Sequence, residues 1–122
     1  MIVRMDLPMK VSANKVYAGM NPFARAKIKK YYAEFSKPYF TNIKGFENKV
    51  NIEMFFYFHK KPLDSSNCFF MAKMLEDCLV SHGVINNDTN KYVGSFTVKS
   101  ISDYRPVKKR RIKSDYVKII MI

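Results

Sequence analysis

Residues 50–58 have the sequence Val-Asn-Ile-Glu-Met-Phe-Phe-Tyr-Phe, and this stretch indicates the fold class. Successive side chains of a β-strand point to opposite faces, so the alternate apolar residues of the stretch share one face. These residues are Ile52, Met54, Phe56 and Phe58. The opposite face also carries Phe and Tyr, which predicts a strand that is at least partly covered on both faces and central in its sheet.

A helix is predicted soon after this strand. Residues 64–67, Asp-Ser-Ser-Asn, offer several N-cap residues, and residues 69–80 contain neither glycine nor proline. Gly83 follows where a helix C-terminus favours a positive φ. Cys68 and Cys78 lie ten residues apart along this segment. Because that spacing is more than two helical turns, we expect reduced thiols and no disulfide between them.

The sequence before the central strand predicts one strand and one helix. Apolar and polar residues alternate over 3–7, as is typical of a strand. A loop containing Asn14 follows. An Asn-Pro pair then supplies an N-cap and a proline suited to the first helical position, and apolar residues at helical spacing predict a helix over about 22–37, before Pro38.

The sequence after the second helix predicts two more strands. Residues 86–90, Asn-Asn-Asp-Thr-Asn, are a dense turn signal, and strand-like sequence follows at 96–101 and at 116–122. The element order β-α-β-α-β-β does not repeat a βαβ unit often enough to require an all-parallel sheet. We therefore predict a single α/β (α+β) domain over residues 1–122, with a mixed sheet and two packed helices.

The charge of the chain is strongly unbalanced. It has 22 Lys and Arg residues against 10 Asp and Glu, a formal net charge of +12, and such a surface attracts polyanions. No stretch approaches the roughly 18 consecutive apolar residues of a membrane span, and residues 1–4 lack the features of a secretory signal, so we expect a cytosolic protein. His59 and His82 stand alone in the sequence, which argues against structural zinc.

Basic residues occur at several places along the chain. Residues 105–113 carry six cations and no acid, and removing them still leaves a net charge of +6. A run of charge can be a solvated face or a partner-binding tail, but a net charge of +12 on one small domain favours contacts with nucleic-acid phosphates. The candidate contacts are Arg25, Lys27, Lys29, Lys30, Lys60, Lys61, Arg105, Lys108, Lys109, Arg110, Arg111 and Lys113.

Acidic residues flank the second predicted helix. Asp64 precedes it and Asp88 follows it after a turn; if the chain folds back, their carboxylates converge and offer the oxygen ligands that Mg²⁺ prefers. Lys73 and Asp77 are four residues apart and project from one face of the helix. Each residue also has a structural explanation: Asp64 as a helix cap, Asp88 as a turn residue, and Lys73 with Asp77 as a surface ion pair.

The order of these residues resembles the central motif of the RusA-type Holliday junction resolvases, especially their phage-borne relatives. That motif has Asp-x-Asp-Asn, a helix with Lys and then Asp-x-Leu, a Gly-Val-Ile turn, and paired acids before a strand. The matching residues are Asp64, Asn67, Lys73, Asp77, Leu79, Gly83, Val84, Ile85 and Asp88. Asn14 is similar to an asparagine near the N-terminus of the family. The specific part of the resemblance covers residues 64–93.

The resemblance implies a homodimeric, Mg²⁺-dependent endonuclease that binds four-way DNA junctions and cuts paired strands, in the cytosol of a bacterium or a phage-infected host. The metal would activate water and stabilise charge on the phosphate. The residues that it implies are Asp64, Lys73 and Asp88 for catalysis, Asp64 and Asp88 for the metal, and Asn14 and Asn67 for contact with DNA; Asp77, whose position in the family pattern is structural, is a further candidate metal ligand.

Two positions depart from the family pattern. Ser66 stands where the family has the second Asp of the first motif, and Asn87 replaces the first of the paired acids. A lost carboxylate weakens binding of a dication unless another ligand, such as Asp77 or Glu53, serves. The alternative function is therefore a junction- or nucleic-acid-binding protein of the same fold with weakened or absent catalysis, and a more remote one is a basic RNA- or ribosome-associated protein.

Overall fold

The computed structural model describes residues 1–59, 61–102 and 115–122. The strands in these ranges are β1 (Ile2–Asp6), β2 (Val50–Phe58), β3 (Val93–Ser102) and β4 (Tyr116–Met121). The helices are α1 (Ala13–Tyr17), α2 (Pro22–Phe40) and α3 (Phe69–Ser81), and a short 3-10 helix, Ser65–Cys68, directly precedes α3. None of the helices in the described ranges has both the length and the apolar character needed to cross a membrane.

The four strands form one mixed sheet in the order β1-β4-β2-β3. β2 is parallel to β3 and antiparallel to β4, which in turn pairs antiparallel with β1. Parallel neighbours need a crossover connection, and α3 provides it between β2 and β3. The α+β class, the mixed sheet and the central position of β2 are therefore confirmed.

One face of β2 is buried in the main core of the protein. Its side chains on that face are all at most 4% exposed; they are Val50, Ile52, Met54, Phe56 and Phe58. α3 contributes Met71, Leu75 and Leu79 to the same core, and α2 contributes Tyr32 and Phe40. Removing such side chains from water stabilises the fold by roughly 1.5–3 kcal/mol each, so the helices and the sheet hold one another in place.

Polar and sulfur-containing side chains are also buried between the helices. The Ser36 hydroxyl of α2 lies 3.4 Å from Nε2 of His82, and this nitrogen is 3.1 Å from the carbonyl oxygen of Ala33. These contacts join α2 to the end of α3. Cys68 and Cys78 are buried and unbridged, so the prediction of free thiols is confirmed.

Two local predictions were wrong. The segment predicted as a loop around Asn14 contains α1, because Ala13 and Val16 are three residues apart and bury one face of a helical turn. α2 does not end before Pro38 but continues to Phe40. A proline costs a helix one backbone hydrogen bond, and complete burial of the Phe40 ring offsets that cost. The helices therefore number three in the described residues, not two.

The second face of the sheet is partly exposed and rich in aromatic and cationic side chains. The rings of Tyr57 and Tyr116, which are register partners, stack with centroids 4.5 Å apart and planes at 7°. The guanidinium carbon of Arg4 lies 4.0 Å from the Tyr116 centroid, and Lys118 Nζ lies 5.7 Å from the Tyr57 centroid. The partial cover predicted for this face of β2 thus comes in part from side chains of the sheet itself.

Phe56→Ala should lower the free energy of unfolding by about 3–5 kcal/mol, because the buried ring leaves a cavity when it is removed. Phe55 is the matched control, since it is adjacent in sequence but lies on the half-exposed face. Phe55→Ala should lower the free energy of unfolding by only about 1 kcal/mol. Urea denaturation followed by circular dichroism measures both losses, and equal losses would contradict the assignment of the two faces.

Candidate functional site

The ammonium group of Lys73 lies among three carboxylates. Its Nζ is 3.0 Å from Glu76 Oε1, 3.3 Å from Asp77 Oδ1 and 2.5 Å from Asp88 Oδ2. One oxygen from each of the three carboxylates lies within 4.8 Å of the others. We call these four residues the Lys73 cluster. The structure thus brings together three of the residues selected from the sequence, Lys73, Asp77 and Asp88, and adds Glu76.

Helix α3 supplies three members of the Lys73 cluster. Lys73, Glu76 and Asp77 are at positions i, i+3 and i+4, which lie on one face of a helix. The side chains of Lys73 and Asp77 are 53% and 51% exposed, whereas that of Glu76 is only 8% exposed. The cluster therefore lies where the buried side of α3 meets its solvent-facing side.

The fourth member, Asp88, reaches the cluster because the chain turns sharply after α3. Gly83 adopts a φ of +76°, a left-handed conformation that favours glycine. Val84 and Ile85 then return to the core, with at most 2% exposure. The chain that follows them brings Asp88 beside Lys73, 15 residues earlier in the sequence.

The loop before β2 holds this turn in position. The N–H of Phe46 donates a hydrogen bond of 2.8 Å to the carbonyl oxygen of Val84. A Cβ atom at Gly45 would lie 2.5 Å from the carbonyl oxygen of Gly83, which is too close for any side chain without a shift of backbone. The position of Asp88 thus depends on a loop that is distant from it in sequence.

Lys73 and Asp88 stabilise each other's charge. Partial burial disfavours the charge on Lys73, but hydrogen bonds to Asp88 and Glu76, with the charges of Glu76 and Asp77, outweigh it and raise the pKa of Lys73. The hydrogen bond from Lys73 and its charge lower the pKa of Asp88. The contribution of Asp88 to stability is therefore complete above its ordinary pKa and is lost as the pH falls through the lowered value.

Asp88 is more than a turn residue, and Lys73 is more than one half of a surface ion pair. In this turn, the side chain that hydrogen-bonds to the backbone is that of Asn87, whose Oδ1 accepts a hydrogen bond of 2.8 Å from the backbone N–H of Asp88. The Asp88 carboxylate is instead directed to Lys73. Lys73 and Asp77 do form an exposed ion pair, but this pair is one side of the larger cluster.

Asp64 lies directly before the 3-10 helix, in extended backbone conformation and exposed to solvent. Asp64 occupies the N-cap position of that helix, but its side chain makes no capping hydrogen bond, so the cap interpretation accounts for its position and not for its carboxylate. The carboxylates grouped with Asp88 in the described part of the chain are those of Glu76 and Asp77. The assignment of Asp64 to catalysis and metal binding stays a prediction.

Asn14 and Asn67, both predicted to contact DNA, touch each other. Asn67 Oδ1 accepts a hydrogen bond of 3.2 Å from the backbone N–H of Asn14, which satisfies one of the N–H groups that a helix start leaves without a partner. Ser66 is exposed, and its neighbour Ser65 accepts a bond of 3.0 Å from the N–H of Ser100 in β3. Contact of the two asparagines with DNA stays a prediction.

The other predicted DNA contacts lie mostly outside the described residues. Lys61 is exposed, and its carbonyl oxygen accepts a bond of 2.9 Å from Lys10 Nζ. The contacts that fall outside the described ranges are Lys60, Arg105, Lys108, Lys109, Arg110, Arg111 and Lys113.

Sequence reasoning did not select Glu76. The signal that could have found it is its position three residues after Lys73 on a predicted helix, where opposite charges meet. Its neighbour Asp77, four residues after Lys73, was selected both for that spacing and for its match to the family pattern.

No protein-family model matches this chain, and no curated protein matches it. The resemblance to RusA-type resolvases therefore stays a prediction from the residue pattern, and the function has to be inferred from the chemistry of the site.

Lys73→Met should raise the pKa of Asp88, because the variant removes the positive charge and leaves Glu76 and Asp77 as its charged neighbours. Titration of the Asp88 carboxyl carbon by NMR measures the change. Lys27→Met is the control, since Lys27 is exposed on α2 and should leave this pKa unaltered. An unchanged pKa of Asp88 in Lys73→Met would contradict the geometry of the cluster.

Proposed function

We propose that this chain is a Mg²⁺-dependent endonuclease that cuts branched DNA such as four-way junctions, and that it acts as a homodimer in the cytoplasm. The observation that carries the proposal is the meeting of Asp88 with Lys73 and Asp77. These three residues also match the RusA-type pattern, in which Asp88 aligns with a metal-binding acid and Lys73 with the catalytic lysine. The net charge of +12 supports a polyanionic substrate.

The donor set of the Lys73 cluster fits Mg²⁺. It offers three carboxylate oxygens within 4.8 Å of one another, and Mg²⁺ prefers oxygen ligands. Asp77 and Asp88 are partly exposed, which suits an ion that keeps several of its waters. Glu76, Asp77 and Asp88 would hold the ion; Asp64, directly before the 3-10 helix, is not a member of this group. Bound there, Mg²⁺ would supply an activated water and charge stabilisation at the phosphate.

The formal charges of the cluster also favour a dication. One ammonium and three carboxylates sum to −2, so the cluster without a metal repels a phosphodiester. A dication cancels this charge. The Lys73 ammonium, released from the carboxylates that the metal would bind, could then donate to a phosphate oxygen and hold the substrate.

A nucleic-acid-binding protein without nuclease activity is the second candidate. The observation that favours it is that each carboxylate of the cluster already contacts Lys73, so the lysine serves as an internal counter-ion. The serine at position 66 also leaves one carboxylate fewer than the family pattern has. In this alternative, the cluster stabilises the fold around α3 and the basic surface binds DNA.

Asp88→Asn should abolish Mg²⁺-dependent cleavage of a labelled synthetic four-way junction, with a loss of at least about 100-fold, because a metal ligand contributes several kcal/mol to transition-state stabilisation. Glu34→Gln is the matched control, since it removes the same charge from an exposed position on α2. Denaturing gels with Mg²⁺ or with EDTA measure the nicks. Salt-sensitive binding of the junction with no cutting under any divalent metal would favour the second candidate.

Asp64→Asn tests the residue that lies outside the cluster. A loss of cleavage similar to that of Asp88→Asn is expected if Asp64 is a metal ligand, as the family pattern implies. In the same assay, Ser66→Asp should raise the rate or lower the Mg²⁺ concentration required, because it restores a carboxylate. A near-normal rate for Asp64→Asn would restrict the metal site to the Lys73 cluster.

A further inference from the structure

A groove lies between α1, α2 and α3, beside the Lys73 cluster. Its volume is about 470 Å³, within the range of sites that hold small organic ligands. Two residues of the cluster, Lys73 and Asp77, line it. The groove is therefore continuous with the site for which we propose metal binding and cleavage.

The charged side chains of this groove favour an anion. Arg25 and Lys29 of α2, one turn apart, line it together with Lys73, and Asp77 is the acid among the lining residues. Their formal charges sum to +2. The first turn of α2 also lines the groove through Pro22, and the N-terminus of a 19-residue helix adds positive potential. Two further lysines of the same helix, Lys27 and Lys30, are exposed but are not among the lining residues.

An aromatic ring lies at the edge of the groove. Tyr17, the last residue of α1, lines the groove and is nevertheless 75% exposed. The buried side chains of α1 are those of Ala13 and Val16, so the ring is not needed to anchor the helix. An exposed ring next to cations is the combination with which proteins bind single-stranded nucleic acids, because a base can stack on the ring while cations hold the backbone.

We propose that this groove binds a single DNA strand, with Arg25 and Lys29 on its phosphates and a base stacked on Tyr17. The inference rests on the proposed function, for which it names the part of the substrate that is bound. Bases within a duplex are stacked on one another and cannot stack on Tyr17, whereas unpaired nucleotides at a branch point can. A strand in the groove would pass directly beside Lys73 and Asp77.

The test compares two double variants on the same helix. Arg25→Ala with Lys29→Ala removes two charges from the groove, and Lys27→Ala with Lys30→Ala removes two charges from outside it. Fluorescence anisotropy in EDTA, where no cleavage occurs, measures binding of a labelled single-stranded oligonucleotide of about 16 nucleotides. We expect the groove variant to raise Kd at least about tenfold and to reduce the slope of log K against log salt by about 1.4, since each phosphate contact on a single strand contributes about 0.7. The control pair should raise Kd less than about threefold, because Lys27 and Lys30, although the sequence also offers them as phosphate contacts, do not line the groove.

A second pair of variants tests whether a base stacks on Tyr17. Tyr17→Ala should raise Kd roughly 5- to 100-fold, the range expected when the aromatic side chain on which a base stacks is removed. Tyr17→Phe should retain binding because the aromatic ring remains. Thermal melting of each variant verifies that it is folded.

Equal losses for the two double variants would overturn the groove as the binding site. No effect of Tyr17→Ala, or tighter binding of a duplex of equal length, would overturn the single-strand assignment. These measurements contain no divalent metal, so a failure of junction cleavage would reject the nuclease while leaving a positive binding result intact. Normal cleavage with no difference between the double variants would reject the groove alone.

Discussion

Strand β2 has to be paired along both edges and covered on one face, and this requirement positions the candidate site. β2 lies between β4 and β3, and its parallel pairing with β3 requires a crossover, which α3 provides. The apolar side of α3 packs into the core against β2. Once that side is buried, Lys73 and Asp77 face solvent and Glu76 lies at the edge of the core. The Lys73 cluster therefore forms at the boundary between the buried side and the exposed side of α3.

The buried carboxylate of Glu76 gives the cluster a second constraint. A carboxylate with 8% exposure is costly without a compensating partner, and Lys73 supplies the hydrogen bond at 3.0 Å. The lysine therefore has a structural duty in the protein as it stands. Lys73 belongs both to the anionic cluster and to the cationic groove. If its ammonium group moves toward a phosphate in the groove, another cation has to neutralise Glu76. A dication bound in the cluster would do so, and in this way binding in the cluster and binding in the groove would be coupled.

The sequence contains enough information to predict the elements that bury a periodic apolar face. β2 and α3 have clear periods and clear ends, and both lie close to where they were expected. The continuation of α2 past Pro38 was missed because local proline rules act against it, and burial of Phe40, a tertiary effect, outweighs them. α1 was missed because a helix of five residues is too short to show a period.

Residue spacing predicted the candidate site only where its residues share one helix, whereas Asp88 was selected through an assumed fold-back of the chain and the family resemblance. Lys73 and Asp77 follow from their spacing, and the i+3 spacing of Glu76 carried the same information. The place of Asp88 depends on the close approach of Gly45 to Gly83, two positions 38 residues apart, and no local rule reports such a contact.

The charge distribution limits what the site can do. A net charge of +12 attracts polyanions in general, yet the formal charges of the Lys73 cluster sum to −2, and those of the groove beside it sum to +2. Counted once each, the six charged groups of groove and cluster cancel: three cations, Arg25, Lys29 and Lys73, against three carboxylates. Without a metal, the groove attracts a phosphodiester while the cluster repels it, whereas a bound dication would cancel the charge of −2 on the cluster. In the proposed nuclease, the cation would therefore let the phosphate of a bound strand approach the carboxylates, an approach that a simple DNA-binding surface does not require.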